Sequence, residues 1–316
     1  MKKLLVLLGS TSSGKTDAAI YLAKKFNGEL ISADSRQVYK NLDIGTGKLP
    51  SINSKVSVEK GEGYWVLDGV KVWLYDLLYP DKRYDVSQFV TEARDKIEEV
   101  NFNNKLPIIV GGTGFYIRSL IDGFSNSLIP LDQNLRKTLE KLSLIELQTK
   151  LQNISSKAWN QLNNSDKNNP RRLVRKIELL TLKPKLSKKG FPGLTDFEIL
   201  KIGLFAKREK LNQRIDKRVD SRIEQGLIEE GKRLYIEGLS LGRMRELGLE
   251  YGVLADFLEN KLDEKQFSKK LKIKIRQFTK RQMTYFKKEK DVIWIDVAKH
   301  NFMENLEKRV VGWYKS

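Results

Sequence analysis

The sequence predicts an α/β fold, a mostly parallel sheet with helices on both faces, interrupted by a helical insertion. Three observations lead there. Short apolar runs alternate with helical spacings over the first 120 residues. A glycine-rich turn of phosphate-binding spacing stands between the first run and the first helix. From residue 123 the pattern turns helical and polar, until an apolar strand resumes at Phe197. Such alternation sets consecutive strands side by side with helices crossing over them. The expected organisation is a core over 1–122, an insertion over 123–196 and a return to the core over 197–316.

Residues 3–8 are continuously apolar, the mark of a strand buried on both faces. The start, MKKLLVLLG, imitates a signal peptide, but its apolar run is too short and leads straight into the glycine-rich turn. Thr16 to Phe26 carries the helical spacing Ala19, Leu22, Ala23, Phe26. A second buried run, Glu29 to Ala33, ends on Asp34-Ser35-Arg36-Gln37, and Glu59 to Val72 has hairpin character. Val72 to Leu78 reads as a strand, Val86 to Val100 as a helix and Pro107 to Val110 as a strand, before Gly111-Gly112-Thr113-Gly114 opens a helix at Phe115. Leu131 to Leu182 is helical and polar, and Pro184 to Pro192 is a Lys-, Ser- and Gly-rich connection. After a strand over Phe197 to Phe205, long helices are expected from Arg208 to Ile236 and from Glu246 to Lys288, then a strand over Val292 to Ile295 and a helix ending at Tyr314. Sheets of this type bind ligands at the carboxyl ends of their strands. Gly9 to Thr16, Asp34 and Thr113 all fall there.

Composition narrows the chemistry. With no cysteine, disulfides and thiolate metal sites are excluded. The one histidine, His300, reads as a solvated turn residue, which argues against nucleophile chemistry relying on a histidine base. A formal net charge of +19 exceeds what solubility requires and points to a polyanionic partner. No segment approaches the roughly 18 apolar residues of a membrane span, so a cytoplasmic protein without a membrane partner is expected.

Gly9-Ser10-Thr11-Ser12-Ser13-Gly14-Lys15-Thr16 has the G-x-x-x-x-G-K-T spacing of a phosphate loop, which makes the fold P-loop NTPase-like. Consecutive backbone N–H groups form a nest, the helix dipole adds positive potential, Lys15 reaches the outer phosphates and the Thr16 hydroxyl faces Mg²⁺. The loop binds a di- or triphosphate without specifying which. Asp34, at a strand end facing that site, is a general base, a Mg²⁺ partner or the N-cap of the next turn. The glycines around Thr113 serve a turn, or let backbone approach a ligand and bring the Thr113 hydroxyl near Asp34. Lys265 to Lys290 holds eleven Lys or Arg and a single acid, Glu289, interleaved with Phe267, Phe278, Tyr285 and Phe286. One face of that helix is expected on the core, the other tracking phosphates.

Several segments in order carry a resemblance. The phosphate loop is followed by Ile31-Ser32-Ala33-Asp34-Ser35-Arg36-Gln37-Val38-Tyr39, then Leu42-Asp43-Ile44-Gly45-Thr46-Gly47-Lys48 and Gly111-Gly112-Thr113-Gly114-Phe115-Tyr116. Asn169-Pro170-Arg171-Arg172-Leu173, Arg214-Ile215-Asp216-Lys217-Arg218 and Thr279-Lys280-Arg281-Gln282-Met283 complete the series. Together they resemble the tRNA dimethylallyltransferase family, the isopentenyl transferases that modify the adenosine 3′ of certain anticodons. The resemblance implies that the loop, Gly9 to Thr16, holds the diphosphate of dimethylallyl diphosphate with Mg²⁺, and that diphosphate is the leaving group. It implies Asp34 as the base that deprotonates the adenine amine, Thr113 as a hydrogen-bonding partner near the bridging oxygen, and Arg218 as the cation neutralising the leaving group; Arg214, one helical turn earlier on the same face, is expected to share that role. It further implies contacts to a tRNA anticodon stem-loop from Asp34, Ser35, Arg36, Gln37, Thr113, Arg136, Arg171 and Arg172. Lys280 and Arg281 belong to the basic helix that is expected to track phosphates. A monomer is expected.

The chain departs from the family pattern at three places. Ser10 replaces the usual proline, Glu246 to Gly252 replaces a Gly-Tyr-Lys/Arg segment, and Trp73-Leu74-Tyr75 stands where a histidine is common. Alternative readings are an adenylate isopentenyltransferase or small-molecule P-loop kinase, and a P-loop nucleic-acid switch. The switch requires a Walker B acid after four apolar residues, to which only Trp73 to Asp76 comes near.

Overall fold

The computed structural model describes residues 1–51, 54–124, 132–182 and 190–316. Most of the Lys-rich connection after residue 182 lies outside them. Two compact units are built, one from 1–121 with 194–316, the other from 122–193.

The larger unit is centred on a sheet of eight strands. These are β1 (Lys2–Gly9), β2 (Gly28–Ser32), β3 (Val58–Gly61), β4 (Tyr64–Leu67), β5 (Val70–Trp73), β6 (Leu106–Gly111), β7 (Phe197–Phe205) and β8 (Val292–Asp296). Their order is β3-β4-β5-β2-β6-β1-β7-β8, parallel from β5 to β8, with β3, β4 and β5 an antiparallel meander at one edge. β1 lies between β6 and β7, with Leu5 opposite Ile108 and Leu200. Its side chains alternate between two buried layers. Leu5 and Leu7 pack with Ala18, Ala19 and Leu22 of α1 (Lys15–Lys25) and Leu306 and Val310 of α14 (Phe302–Lys315). Leu4, Val6 and Leu8 alternate with them and are equally buried, and α2 (Val86–Phe102) buries Phe89, Val90, Ala93 and Ile97 as it packs along β2 and β6. Burying each of these leucines is worth about 2 kcal/mol. α2 opens on a capping box in which Asp85 accepts from the Ser87 and Gln88 amides.

After β6 comes α3 (Gly114–Ile121), and after β7 the helices α9 (Arg208–Glu224), α10 (Leu227–Ile236), α11 (Leu241–Leu247), α12 (Leu249–Leu258) and α13 (Glu264–Phe286). These bury a second cluster that includes Ile215, Val219, Leu254, Phe267, Leu271 and Ile275. The smaller unit holds α4 (Gln133–Leu139), α5 (Leu144–Ile154), α6 (Ser156–Asn160), α7 (Asn164–Lys167) and α8 (Pro170–Leu182), around Leu139, Leu147, Leu151, Leu173, Val174 and Ile177. No helix among the described residues is long and apolar enough to cross a membrane.

Three elements differ from the sequence reading. The strand expected over Val72 to Leu78 ends at Trp73, because Leu74 and Asp76 adopt φ of 66° and 55° and turn the chain away. The helix expected over Arg208 to Ile236 breaks at Gly226, where φ is 100°. The helix expected over Glu246 to Lys288 is divided at the 259–263 turn before α13, and Glu246 itself belongs to α11, separated from α12 by Gly248 at φ 76°.

Candidate active site

The phosphate loop leaves β1 through Gly9, whose φ is 153° and where a Cβ would meet the Leu204 carbonyl oxygen at 2.5 Å. β7 therefore runs too close for any side chain there. Ser12 at φ 64° and Gly14 at φ 82° then turn the chain into α1, leaving the first-turn amides of Lys15 and Thr16 with no backbone partner among the described residues. The hydroxyls of Ser10, Ser12 and Ser13 are buried, with no hydrogen-bond partner among the described residues. Orphan donors in a concave loop fit an oxyanion. Lys15 folds back to donate from Nζ to the Ser10 carbonyl at 2.7 Å. Burial and the charge of Arg218 lower its pKa to about 7, against the opposing pull of Asp34. Arg218 is itself lowered to about 9 by burial and by Arg222, against Glu250, Asp34 and Asp17. The site thus concentrates cations that lack a full set of anions.

Arg214 and Arg218 share a cavity of about 570 Å³ with Ser12, Lys15, Thr16 and Asp17. Their neighbouring acids are used elsewhere: Asp216 accepts from Arg276 at 2.6 Å and Asp220 pairs with Lys272 at 2.6 Å, both on α13. A simple surface pairing along α9 is therefore not what these arginines make.

Asp34 follows β2, and Thr113 follows the adjacent β6. The Thr113 amide donates to the Ala33 carbonyl at 3.2 Å, and the Ser35 amide donates to Thr113 Oγ1 at 3.3 Å. Asp34 Oδ1 accepts the Arg36 amide at 2.9 Å, a turn-type bond that orients the carboxylate and leaves Oδ2 with no hydrogen-bond partner among the described residues. Gln37 accepts from Ser32 Oγ at 2.8 Å, and Arg36 donates from Nε to the Leu247 carbonyl. That carbonyl lies in the divergent 246–252 segment, whose Glu250 pairs with Arg222 at 2.9 Å and whose Tyr251 hydroxyl donates to Glu230 at 2.8 Å.

Two further residues belong here. Tyr75 is buried, and its hydroxyl is pushed above its ordinary pKa by burial and by the charges of Asp34 and Asp76. Gln282 of α13 accepts from the Thr11 amide at 2.8 Å and the Thr11 hydroxyl at 3.1 Å, and donates to the Gly112 carbonyl at 2.9 Å. Both the N–H and the O–H of Thr11 are given to Gln282. Asp76, the nearest approach to a Walker B acid, accepts from Trp65 Nε1 at 2.6 Å and pairs with the buried Lys48.

Of the remaining cations, Lys280 and Arg281 are exposed on α13. Lys270, Lys272 and Arg276 of that helix are paired with acids. In the smaller unit Arg171 is exposed and Arg172 pairs with Asp166. Arg136, expected at the anticodon arm, is partly buried and paired. Its Nε and Nη2 donate to the fully buried Glu178 at 2.8 and 2.9 Å, a bidentate pair that ties α4 to α8.

The family model described as IPP transferase matches residues 37–289, and one described as isopentenyl transferase matches 2–65. The chain belongs to the IPP transferase family. Among relatives of this family, a tRNA dimethylallyltransferase of Anoxybacillus flavithermus is 36% identical over 316 residues, 99% of this chain and 96% of that protein. The tRNA isopentenylpyrophosphate transferase of Bacillus halodurans superposes with a TM-score of 0.70 at 31% identity, covering 99% of this chain and 96% of the other. A eukaryotic dimethylallyltransferase captured acting on tRNA superposes with a TM-score of 0.76 at 25% identity, covering 99% and 79%. The P-loop-like α/β core is thus that of an IPP transferase, and the enzyme is a prenyltransferase.

Proposed function

We propose that this IPP transferase moves a dimethylallyl group from dimethylallyl diphosphate to the exocyclic amine of the adenosine 3′ of the anticodon in tRNA, acting in the cytoplasm as a monomer and releasing diphosphate. One observation carries the reading. Asp34, Thr113, Lys15 and Arg218, from four separate segments, converge at the carboxyl ends of adjacent parallel strands, where an acceptor carboxylate faces a cationic phosphate loop.

The N–C bond forms at the first carbon of the prenyl group as its C–O bond breaks, and the electron pair leaves with diphosphate. Lys15, Arg218, Arg214 and the amides of the Ser12 to Thr16 turn take the developing charge. An adenine amine is a poor nucleophile, so Asp34 accepts its proton as the bond forms. Thr113 holds the 34–36 turn in register beside the reacting atoms. The residues fit Mg²⁺ as a companion of the diphosphate: Thr16 offers a hydroxyl on the first turn of α1, and no cluster of three acids or histidines among the described residues would cage the ion without substrate oxygens. When bound, the ion supplies further neutralisation of the leaving group. Exposed Arg171, Lys280 and Arg281, together with Ser35, Arg36 and Gln37, are assigned to the anticodon stem-loop, while Arg136 and Arg172 reach it only by giving up an acid partner. The target base leaves its stack to reach Asp34.

Mass analysis of nucleosides from tRNA incubated with the purified protein and dimethylallyl diphosphate tests the reading. One dimethylallyl group on the adenosine 3′ of the anticodon is expected. Transfer to free adenylate but not to tRNA would overturn it.

A further inference from the structure

Gln282 stands out on α13 because it is the one amide in a buried stripe formed with Phe267, Leu271, Ile275, Thr279 and Phe286. Its primary amide uses both ends. Oε1 takes two hydrogen bonds from Thr11 at 2.8 and 3.1 Å, and Nε2 gives one to the Gly112 carbonyl at 2.9 Å. The approach to the second loop is close: a Cβ on Gly112 would lie 2.3 Å from Nε2. Thr11 sits in the loop that precedes Lys15, and Gly112 immediately precedes Thr113. One side chain from a third element therefore spans the loop expected to grip the leaving group and the loop that sets the acceptor end.

We propose that Gln282 is a positioning residue that fixes the distance between the diphosphate loop and the Asp34–Thr113 turn. The inference rests on the reading of those two loops as leaving-group and acceptor ends. It assigns Thr11 to the clamp and leaves the diphosphate to the other donors of the loop. Only an amide fills this role. A carboxylate at 282 keeps both Thr11 bonds but faces the Gly112 carbonyl with a second acceptor, and an apolar isostere loses all three bonds.

A side chain that aligns reacting groups without touching them lowers the rate of the bound complex more than it lowers binding, and a misplacement of about 1 Å costs about a hundredfold. For Gln282→Met, single-turnover transfer at saturating donor and tRNA is expected to fall about tenfold to a hundredfold, with inorganic diphosphate and tRNA affinities within about threefold of wild type. Gln282→Glu, which keeps the Thr11 bonds but sets a negative charge beside the diphosphate loop, is expected to lose transfer too, with diphosphate affinity falling through charge repulsion. Exchange of the Thr11 amide proton, followed in the absence of substrates, is expected to accelerate about fivefold or more in Gln282→Met, the equilibrium worth of one hydrogen bond, and to stay unchanged in Gln282→Glu. Transfer rates equal to wild type in both variants would overturn the proposal, as would a diphosphate affinity that falls as much as the rate in the uncharged Gln282→Met, or a Thr11 amide indifferent to Gln282→Met. Absence of transfer by the wild-type protein would instead overturn the prenyl-transfer reading, and the Thr11 exchange would still decide whether the clamp exists.

Discussion

Lys15 offers the most quantitative test. Burial and Arg218 bring its pKa to about 7 in the free protein, so about half of the molecules carry a neutral amine at pH 7 and about nine-tenths at pH 8. A diphosphate in the loop restores the charged form, because its oxygens replace the missing anion beside Lys15. Binding must then take up about half a proton at pH 7 and nearly one at pH 8.5, and the dissociation constant should rise up to about tenfold per pH unit above 7 until the pKa of the complex is reached. Calorimetry with inorganic diphosphate, in buffers of different ionisation enthalpy, reads the uptake directly. Lys15→Arg, permanently charged, supplies the background from protons carried by diphosphate itself. Equal uptake by wild type and Lys15→Arg would refute the reasoning, because Lys15 would then be charged before the ligand arrives. The same shift has a sign in folding: a lysine whose folded pKa is depressed binds fewer protons than the unfolded chain between pH 7 and 10.5. Its contribution to stability therefore improves as pH rises through that window, and the penalty is fully present below pH 7. Lys15→Met should accordingly raise Tm at pH 6 and by less at pH 9.

Asp34→Asn should slow single-turnover transfer by about two to four orders of magnitude while leaving diphosphate and tRNA binding nearly unchanged, and recovery of the rate at high Mg²⁺ would reassign Asp34 to metal binding. Glu178→Ala removes the buried carboxylate that the partly exposed Arg136 guanidinium grips and should cost about 1–3 kcal/mol, read as selective proteolysis within 122–193. Neutralising Lys280 and Arg281 together should lower the slope of log affinity for an anticodon stem-loop against log salt by about one for each phosphate no longer neutralised, and an unchanged slope would move the RNA surface elsewhere.

Much of the core was legible because its signals are local. β7 occupies the residues its apolar run marks, Phe197 to Phe205, and the phosphate loop begins and ends where its glycines say. The strand misread at Val72 to Leu78 shows the limit: Leu74 and Tyr75 are buried, so the hydrophobic run continues, while φ angles of 66° and 55° at Leu74 and Asp76 end the strand within it. Burial pattern reports which side chains are inside, not which way the backbone goes. Long-range pairs were equally silent. Nothing near Arg136 announces that Glu178, 42 residues on, will take its guanidinium, and nothing near Thr11 announces Gln282. The resemblance supplied Gln282 as part of a motif, and only the fold shows what its amide does. The acids nearest Arg214 and Arg218 in sequence, Asp216 and Asp220, are taken by cations of α13, which no local pattern announces.

The place of β1 in the sheet has a consequence for how the chain is made. Lys2 pairs with Phe197, 195 positions downstream, and the whole of 122–193 is synthesised before that partner appears. At about 5–20 residues per second, the nascent β1 waits roughly 10–40 s with its second edge unpaired. A strand reading LLVLL with an open edge is a template for association with other chains. Lys2 and Lys3 directly precede that apolar run, charges that resist such stacking. Yield in cells should therefore respond to translation speed across 122–193, a region far from the chemistry.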